Sequence, residues 1–172
     1  MTRISEFLFF CVIVNENWSE NMLSDKQNRI SSAKELFECG YNCAQSVFCV
    51  FCEDFGIDFE TGLKLSSSFG GGMGRLREVC GAVSAMFMIA GLKFGYSSNN
   101  DDLKKSKHYE LIQKLADEFA KNNGSIICRE LIGEDRNGYI PEMRTKKYYQ
   151  KRPCAELVAS AEKIIRDKIL NE

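Results

Sequence analysis

The first 140 residues of the chain contain no proline, and the whole sequence has only two, Pro141 and Pro153. Proline removes a backbone donor and breaks helices, so its absence lets long stretches run as uninterrupted helix. The apolar residues use that freedom. Ile30, Ala33, Leu36 and Phe37 recur at helical spacing over residues 24–39, and Gly40 stands where a left-handed residue would end that helix. Asn42 is a good N-cap for a second helix over 43–54, carrying Ala44, Val47, Phe48, Phe51 and Phe55. Asp58 caps a short third helix over 59–68.

The pattern continues to the C-terminus. Residues 76–94 are apolar on most sides, which predicts a helix in the middle of a bundle. Asn99-Asn100-Asp101 open a long amphipathic helix to about residue 120, a short turn follows at 128–132, and a polar loop leads to a last helix from Pro153 to about Ile169. No segment alternates with a period of two. The expected fold is all-α, a compact bundle of about five to seven helices. At 172 residues one core is the working size. With 23 basic against 24 acidic residues, the chain has no general attraction for nucleic acid or an anionic membrane.

Residues 1–21 read as an N-terminal extension, and 22–172 as a single helical domain. The run Phe7 to Val14 is apolar behind Arg3, but it is short for a signal peptide, has no small-residue cleavage site after it, and is too short to span a bilayer. Met22-Leu23-Ser24-Asp25 opens a clean helix, so the extension is expected to be disordered or to lie upstream of the true start.

Eight cysteines are well above ordinary usage. A chain this long needs no staples, so they point to reduced thiols, metal ligands or redox partners in a reducing compartment, with the cytoplasm expected. The apolar run 7–14 leaves export open. Position separates the cysteines. Cys43 follows Asn42, Cys128 opens the turn after Gly124-Ser125, and Cys154 follows Pro153, so all three fall at expected helix starts. There, unpaired backbone N–H groups favour thiolate. Cys80 is expected one turn into the central helix, with Gly81 beside it to let another backbone or a cofactor approach. Arg75, Arg77 and Arg129 lie close in sequence to Cys80 and Cys128 and could stabilise thiolates or an anionic cluster; solvated arginine is the equal alternative.

Other signals are weaker. Cys49-Val50-Phe51-Cys52 spells C-x-x-C but lies in an aromatic-rich helix without a βαβ context, and Glu53 follows where haem attachment needs His. Burial as small apolar side chains is the better reading for this pair. Cys11 and Cys39 are read as incidental. Phe69 to Arg75 is glycine-rich, but it lacks the lysine-bearing phosphate-loop pattern and follows no strand, so no nucleotide is expected; a tight turn for close helix packing is. The one histidine, His108, sits among lysines, and a triad or a poly-His metal site is hard to build around it.

Taken in order, Gly40-Tyr41-Asn42-Cys43-Ala44, then Phe69 to Gly74 leading to Cys80-Gly81-Ala82-Val83-Ser84-Ala85, then Cys128-Arg129-Glu130-Leu131-Ile132-Gly133, then Cys154, resemble the redox-active proteins labelled C_GCAxxG_C_C. The label writes Gly-Cys-Ala where this chain has Cys80-Gly81-Ala82, and Ala85 stands where it ends in Gly. The resemblance implies a small bacterial or archaeal protein with four characteristic cysteines, here Cys43, Cys80, Cys128 and Cys154, often encoded near transporters. A similar helical region occurs in split-Soret c-type cytochromes, but this chain has no C-x-x-C-H, so no covalent haem is expected.

Three chemistries remain open. Four thiolates could hold an iron-sulfur cluster passing single electrons, although spacings of 37, 48 and 26 residues are unlike compact ferredoxin runs and require assembly by tertiary folding. Two cysteine pairs could instead cycle between dithiol and disulfide, with the helix-start thiols as low-pKa attackers. A closed structural zinc site in a helical interaction module is the third. One site using all four cysteines explains them with a single geometry, which places the cluster narrowly first. In any of these readings Gly81, Arg75 and Arg129 are candidate cofactor contacts. The electron donor and acceptor leave no trace in the sequence, and association between copies of the chain is compatible with it.

Overall fold

The computed structural model describes residues 32–171; the extension 1–21 and Met22 lie outside them, as does Cys11. Nine α-helical segments are named here in chain order. They are α1 (Ala33–Glu38), α2 (Cys43–Phe51), α3 (Phe59–Ser67), α4 (Gly70–Met73), α5 (Gly81–Phe94), α6 (Asp102–Asn123), α7 (Cys128–Ile132), α8 (Lys146–Lys151) and α9 (Cys154–Ile165). Among the described residues the only β feature is one antiparallel bridge, Val79 to Ile127. The all-α expectation holds.

Capping explains where the main helices begin. Ser32 accepts from Glu35 N–H, Asp58 from Thr61 N–H and Asp101 from Lys104 N–H, so each satisfies a donor that the first turn leaves free. Gly124 ends α6 in the left-handed conformation. The expected second helix stops as α-helix at Phe51 and tightens into a 3-10 turn over Cys52–Phe55.

Helix α5 is the centre of the bundle, with Ala82, Val83, Ala85, Met86, Ile89 and Ala90 all buried. It packs on α2, α6 and α9, and α9 also covers α1 and α2 with Leu157, Val158, Ala161, Ile164 and Ile165. The carboxylate of Glu162, on that buried face, accepts the N–H of Ala33 at 2.8 Å and so anchors the start of α1 to α9. None of the described helices is long and apolar enough to cross a membrane.

Two departures from the sequence reading bear on the site. The central helix begins at Gly81, not near Leu76, because Arg77 is left-handed, with φ of 66°, and residues 78–80 pair with 126–128. In addition, α8 lies in what reads as a loop. Thr145 caps it, yet Lys146-Lys147-Tyr148-Tyr149-Gln150-Lys151 has too few apolar positions to show a helical stripe.

Candidate functional site

Each of the four singled-out cysteines sits at the start of a helix. Cys43 is the first residue of α2, where Asn42 accepts from the N–H groups of Ala44 and Gln45, and Gln45 Oε1 accepts from Asn42 N–H. Asn42 is itself fixed by donating to Ser67 O. Cys128 opens α7 and Cys154 opens α9 behind Pro153. Cys80 is a correction: it is the N-cap of α5 and not a residue one turn inside it. The strand-like pairing of 77–80 with 126–129 brings two of these positions together. Cys80 N–H donates to Ile126 O at 2.8 Å, and Cys128 N–H donates to Glu78 O at 2.6 Å.

Two glycines allow the close approach. A Cβ on Gly81 would stand 2.6 Å from Cys43 Sγ, so α5 meets the start of α2 only because that side chain is missing. Gly72, at φ of 70°, lies against Cys128, whose Cβ would be 2.6 Å from an added Cβ. The glycine-rich segment thus acts as the tight turn read from its sequence, although it includes the short helical turn α4.

Cys43, Cys80, Cys128 and Cys154 line one cavity of about 50 Å³. Phe37, Leu131, Ile132 and Leu157 form apolar parts of the wall, and Arg77, Arg144, Arg152 and Tyr148 complete the polar part. Cys80 and Cys128 are buried, whereas Cys43 and Cys154 are half-buried.

Burial dominates the thiol electrostatics. It pushes Cys80 well above the ordinary thiol range, with the neighbouring Cys43 and Cys128 adding to the rise. Cys128 is raised by burial and by Cys43, against the charge and hydrogen bond of Arg77 and the charge of Arg152. Cys154 is pushed up to about 12 by burial, then by Cys43 and Cys128, against Arg152 and Arg144. The expectation of low-pKa thiols at helix starts is therefore reversed at Cys128 and Cys154. Taking a thiolate out of water costs more than the helix N-terminus and the guanidinium groups return.

The arginines show an unusual pattern. Arg77 is 2% exposed, and its Nε and Nη2 are buried without a hydrogen-bond partner; the closest carboxylate oxygen paired with it, on Glu134, is 4.0 Å away. Arg144 lies over the rings of Phe37 and Tyr148 at 4.3 and 4.8 Å and donates to Tyr41 O, while its Nη1 is buried and unpaired. Arg152, 8% exposed, pairs with Glu134 and Glu142 but leaves Nε without a partner.

Among the residues read from the sequence, Gly81 packs on Cys43 as described. Arg75 and Arg129 are not part of the cavity lining: Arg75 donates to Asn137 and Gly138, and Arg129 bonds Glu78. Arg144, Arg152 and Tyr148 were not singled out. Arg152 precedes Cys154 by two positions, a local cue, whereas Arg144 carries no sequence signal. Cys49 and Cys52 lie apart from the lining, buried against Gly62. Cys39 ends α1 at the C-cap.

A single zinc ion holds its sulfurs at about 2.3 Å, which sets them roughly 3.8 Å from one another. Among the described residues no three His, Cys, Asp or Glu side chains gather round one point in that way. In a cluster each thiolate binds its own iron and sulfide bridges the irons, so four cysteines can hold it from farther apart than a single ion allows. Four cysteines facing one small cavity, beside buried cations with spare donors, suit a negatively charged thiolate centre.

A family profile described as "Putative redox-active protein (C_GCAxxG_C_C)" matches residues 41–168, a span that contains all four cysteines. No curated protein and no solved structure matches the chain.

Proposed function

The chain belongs to the C_GCAxxG_C_C family, described as redox-active, and on that premise we propose that Cys43, Cys80, Cys128 and Cys154 form its electron-transfer centre by ligating an iron-sulfur cluster. The observation that carries the reading is the common cavity: four cysteines, far apart in sequence, open four helices and face the same small space. When bound, the cluster would supply one-electron transfer.

The chain's own part is to bring the sulfurs together, exclude water and balance charge. Burial keeps at least Cys80, Cys128 and Cys154 protonated near neutral pH. Ligation replaces those protons with metal, so loading releases protons and weakens as pH falls. The apolar wall limits solvent access, and the guanidinium groups of Arg77, Arg144 and Arg152 offset the negative charge that thiolate ligands bring. No three of the described ligand-type side chains gather round one point as a single zinc ion needs, which leaves the structural zinc module the least supported of the three chemistries.

Dithiol chemistry is the second reading, favoured by the contact of Cys43 Sγ with Gly81, the residue next to Cys80. Forming a Cys43–Cys80 disulfide would release two protons and two electrons to an acceptor disulfide, which becomes two thiols.

Iron and acid-labile sulfide analysis with a visible spectrum, on protein purified without oxygen, separates these readings. Stoichiometric iron and sulfide in the native chain, lost in Cys80→Ala, is the expected result. Metal-free protein whose thiols cycle with a small disulfide would replace the cluster by dithiol exchange. Stoichiometric zinc without redox activity would overturn both.

A further inference from the structure

Buried guanidinium nitrogens are rarely left without an acceptor, because a polar group taken out of water retains its full desolvation cost unless it is paired. Three arginines around this one cavity break that rule: Arg77 at Nε and Nη2, Arg144 at Nη1, and Arg152 at Nε. Arg77 lies before α5 and Arg144 and Arg152 flank α8, and they share supports: Glu134 faces Arg77 and Arg152, and the Tyr148 ring lies under Arg144 and Arg152. Arg77 follows the glycine turn, Arg144 is fixed by its stacking on Phe37 and Tyr148, and Arg152 is gripped from one side by Glu134 and Glu142. Those two carboxylates pair with Arg77 and Arg152, and Glu134 also pairs with Lys151. Arg144 has no carboxylate partner among the described residues, so its positive charge is unbalanced at the cavity wall, and each guanidinium retains at least one free donor.

We propose that Arg77, Arg144 and Arg152 are an anion clamp that holds one compact dianion, with acceptor atoms on several sides, inside the four-cysteine cavity. Planar guanidinium groups suit this task because they donate in fixed directions and remain charged when buried. The dianion has two chemical sources. One is the thiolate-ligated cluster itself, and to that extent the inference rests on the reading above. The other is a free oxyanion of sulfate-like size entering a cavity without metal. The cavity is too small for both at once. The clamp sets how strongly negative charge is held there.

The test uses the full chain with Arg144→Gln, chosen because Arg144 is half-buried, and Arg77→Lys as a second variant that retains its charge but loses the planar fork. In cluster-bearing protein, a spectroelectrochemical titration reads the midpoint potential. Removing a cation destabilises the more negative reduced form, so Arg144→Gln is expected to lower the reduction equilibrium about tenfold, or about 59 mV for one electron; Arg144→Lys recovers part of the shift. In metal-free reduced protein, calorimetric titration with inorganic sulfate at low ionic strength reads the second source.

A shifted potential with no sulfate binding makes the cluster the clamped dianion. Saturable sulfate binding to the metal-free chain, weakened at least tenfold in Arg144→Gln, makes it a free oxyanion. The clamp is overturned when Arg144→Gln and Arg77→Lys, both folded by circular dichroism, change neither quantity. Absence of iron and of redox-active thiols would count against the redox reading alone, and the sulfate titration would still decide the clamp.

Discussion

The sulfur of Cys43 rests on the backbone of Gly81, so closely that a Cβ there would stand 2.6 Å from Cys43 Sγ and 2.7 Å from the carbonyl oxygen of Phe69. Both neighbours are constrained, one by the capped start of α2 and the other by the chain entering the glycine turn. Gly81→Ala must therefore push α2 and α5 apart. Overpacking of this kind costs about 1–3 kcal/mol. The expected outcome in urea unfolding is a lower midpoint with an unchanged slope. Because the displaced atom is a sulfur of the centre, iron content should fall as well. A fully loaded Gly81→Ala protein of native stability would show that the contact does not constrain the site.

Gly72 and Gly124 separate backbone strain from steric conflict. Both have positive φ, 70° and 95°, but an added Cβ at Gly124 meets nothing within 4 Å, whereas at Gly72 it meets Cys128 Cβ at 2.6 Å and Glu78 N at 2.9 Å. Gly124→Ala should cost about 1 kcal/mol, the left-handed penalty alone. Gly72→Ala adds a clash with the residue pair that positions Cys128, so it should cost more and also impair the centre. Equal unfolding midpoints for the two variants would contradict this.

Much of this arrangement is legible in the sequence, and the exceptions have physical causes. Asn42, Asp58 and Asp101 announce helix starts through side chains that can do little else there, and the four cysteines are recognisable from their local contexts. The start of α5 is misread because Leu76 and Val79 fit a helical stripe, while the bridge that takes 78–80 out of the helix depends on residues 126–129, some fifty positions away. The same distance hides the cations. Arg75 and Arg129 are close to the cysteines in sequence yet turn to Asn137 and Glu78, whereas Arg144 reaches the cavity only because Phe37 and Tyr148 hold it there. The raised thiols are missed for a third reason. A helix N-terminus can be read from local sequence, but the burial that outweighs it is a property of the assembled bundle.

Cys49 and Cys52 test the distinction between cysteine as chemistry and cysteine as filler. They are 5% and 0% exposed, and both sulfurs abut Gly62 rather than the cavity. Cys49→Ala should cost about 1 kcal/mol, the effect of removing one small buried group, and leave iron and sulfide content unchanged. Loss of iron in this variant, with its stability preserved, would make the C-x-x-C pair part of the centre.

Glu134 provides the pH dependence. Its carboxylate bonds Lys151, pairs with Arg152 and faces Arg77, so it ties the segment after α7 to the helix that leads into Cys154. The hydrogen bond with Lys151, followed by the charges of Arg152, Lys151 and Arg77, holds Glu134 below its ordinary value of 4.5, despite the opposing effect of burial. A carboxyl group depressed in the folded state contributes its full stabilisation above the unfolded value, and loses it as pH falls through the lower, folded one. Between pH 5 and 8 this tie should therefore be insensitive to pH, and below about 4.5 it should weaken progressively. Hydrogen exchange of residues 134–152, measured at pH 6 and at pH 3.5 with intrinsic rates corrected, should show protection lost at the lower pH. Glu134→Gln should lack that pH step and show reduced protection already at pH 6, because the neutral amide leaves Arg152 with Glu142 alone. An unchanged step in the variant would assign the acid sensitivity to another group.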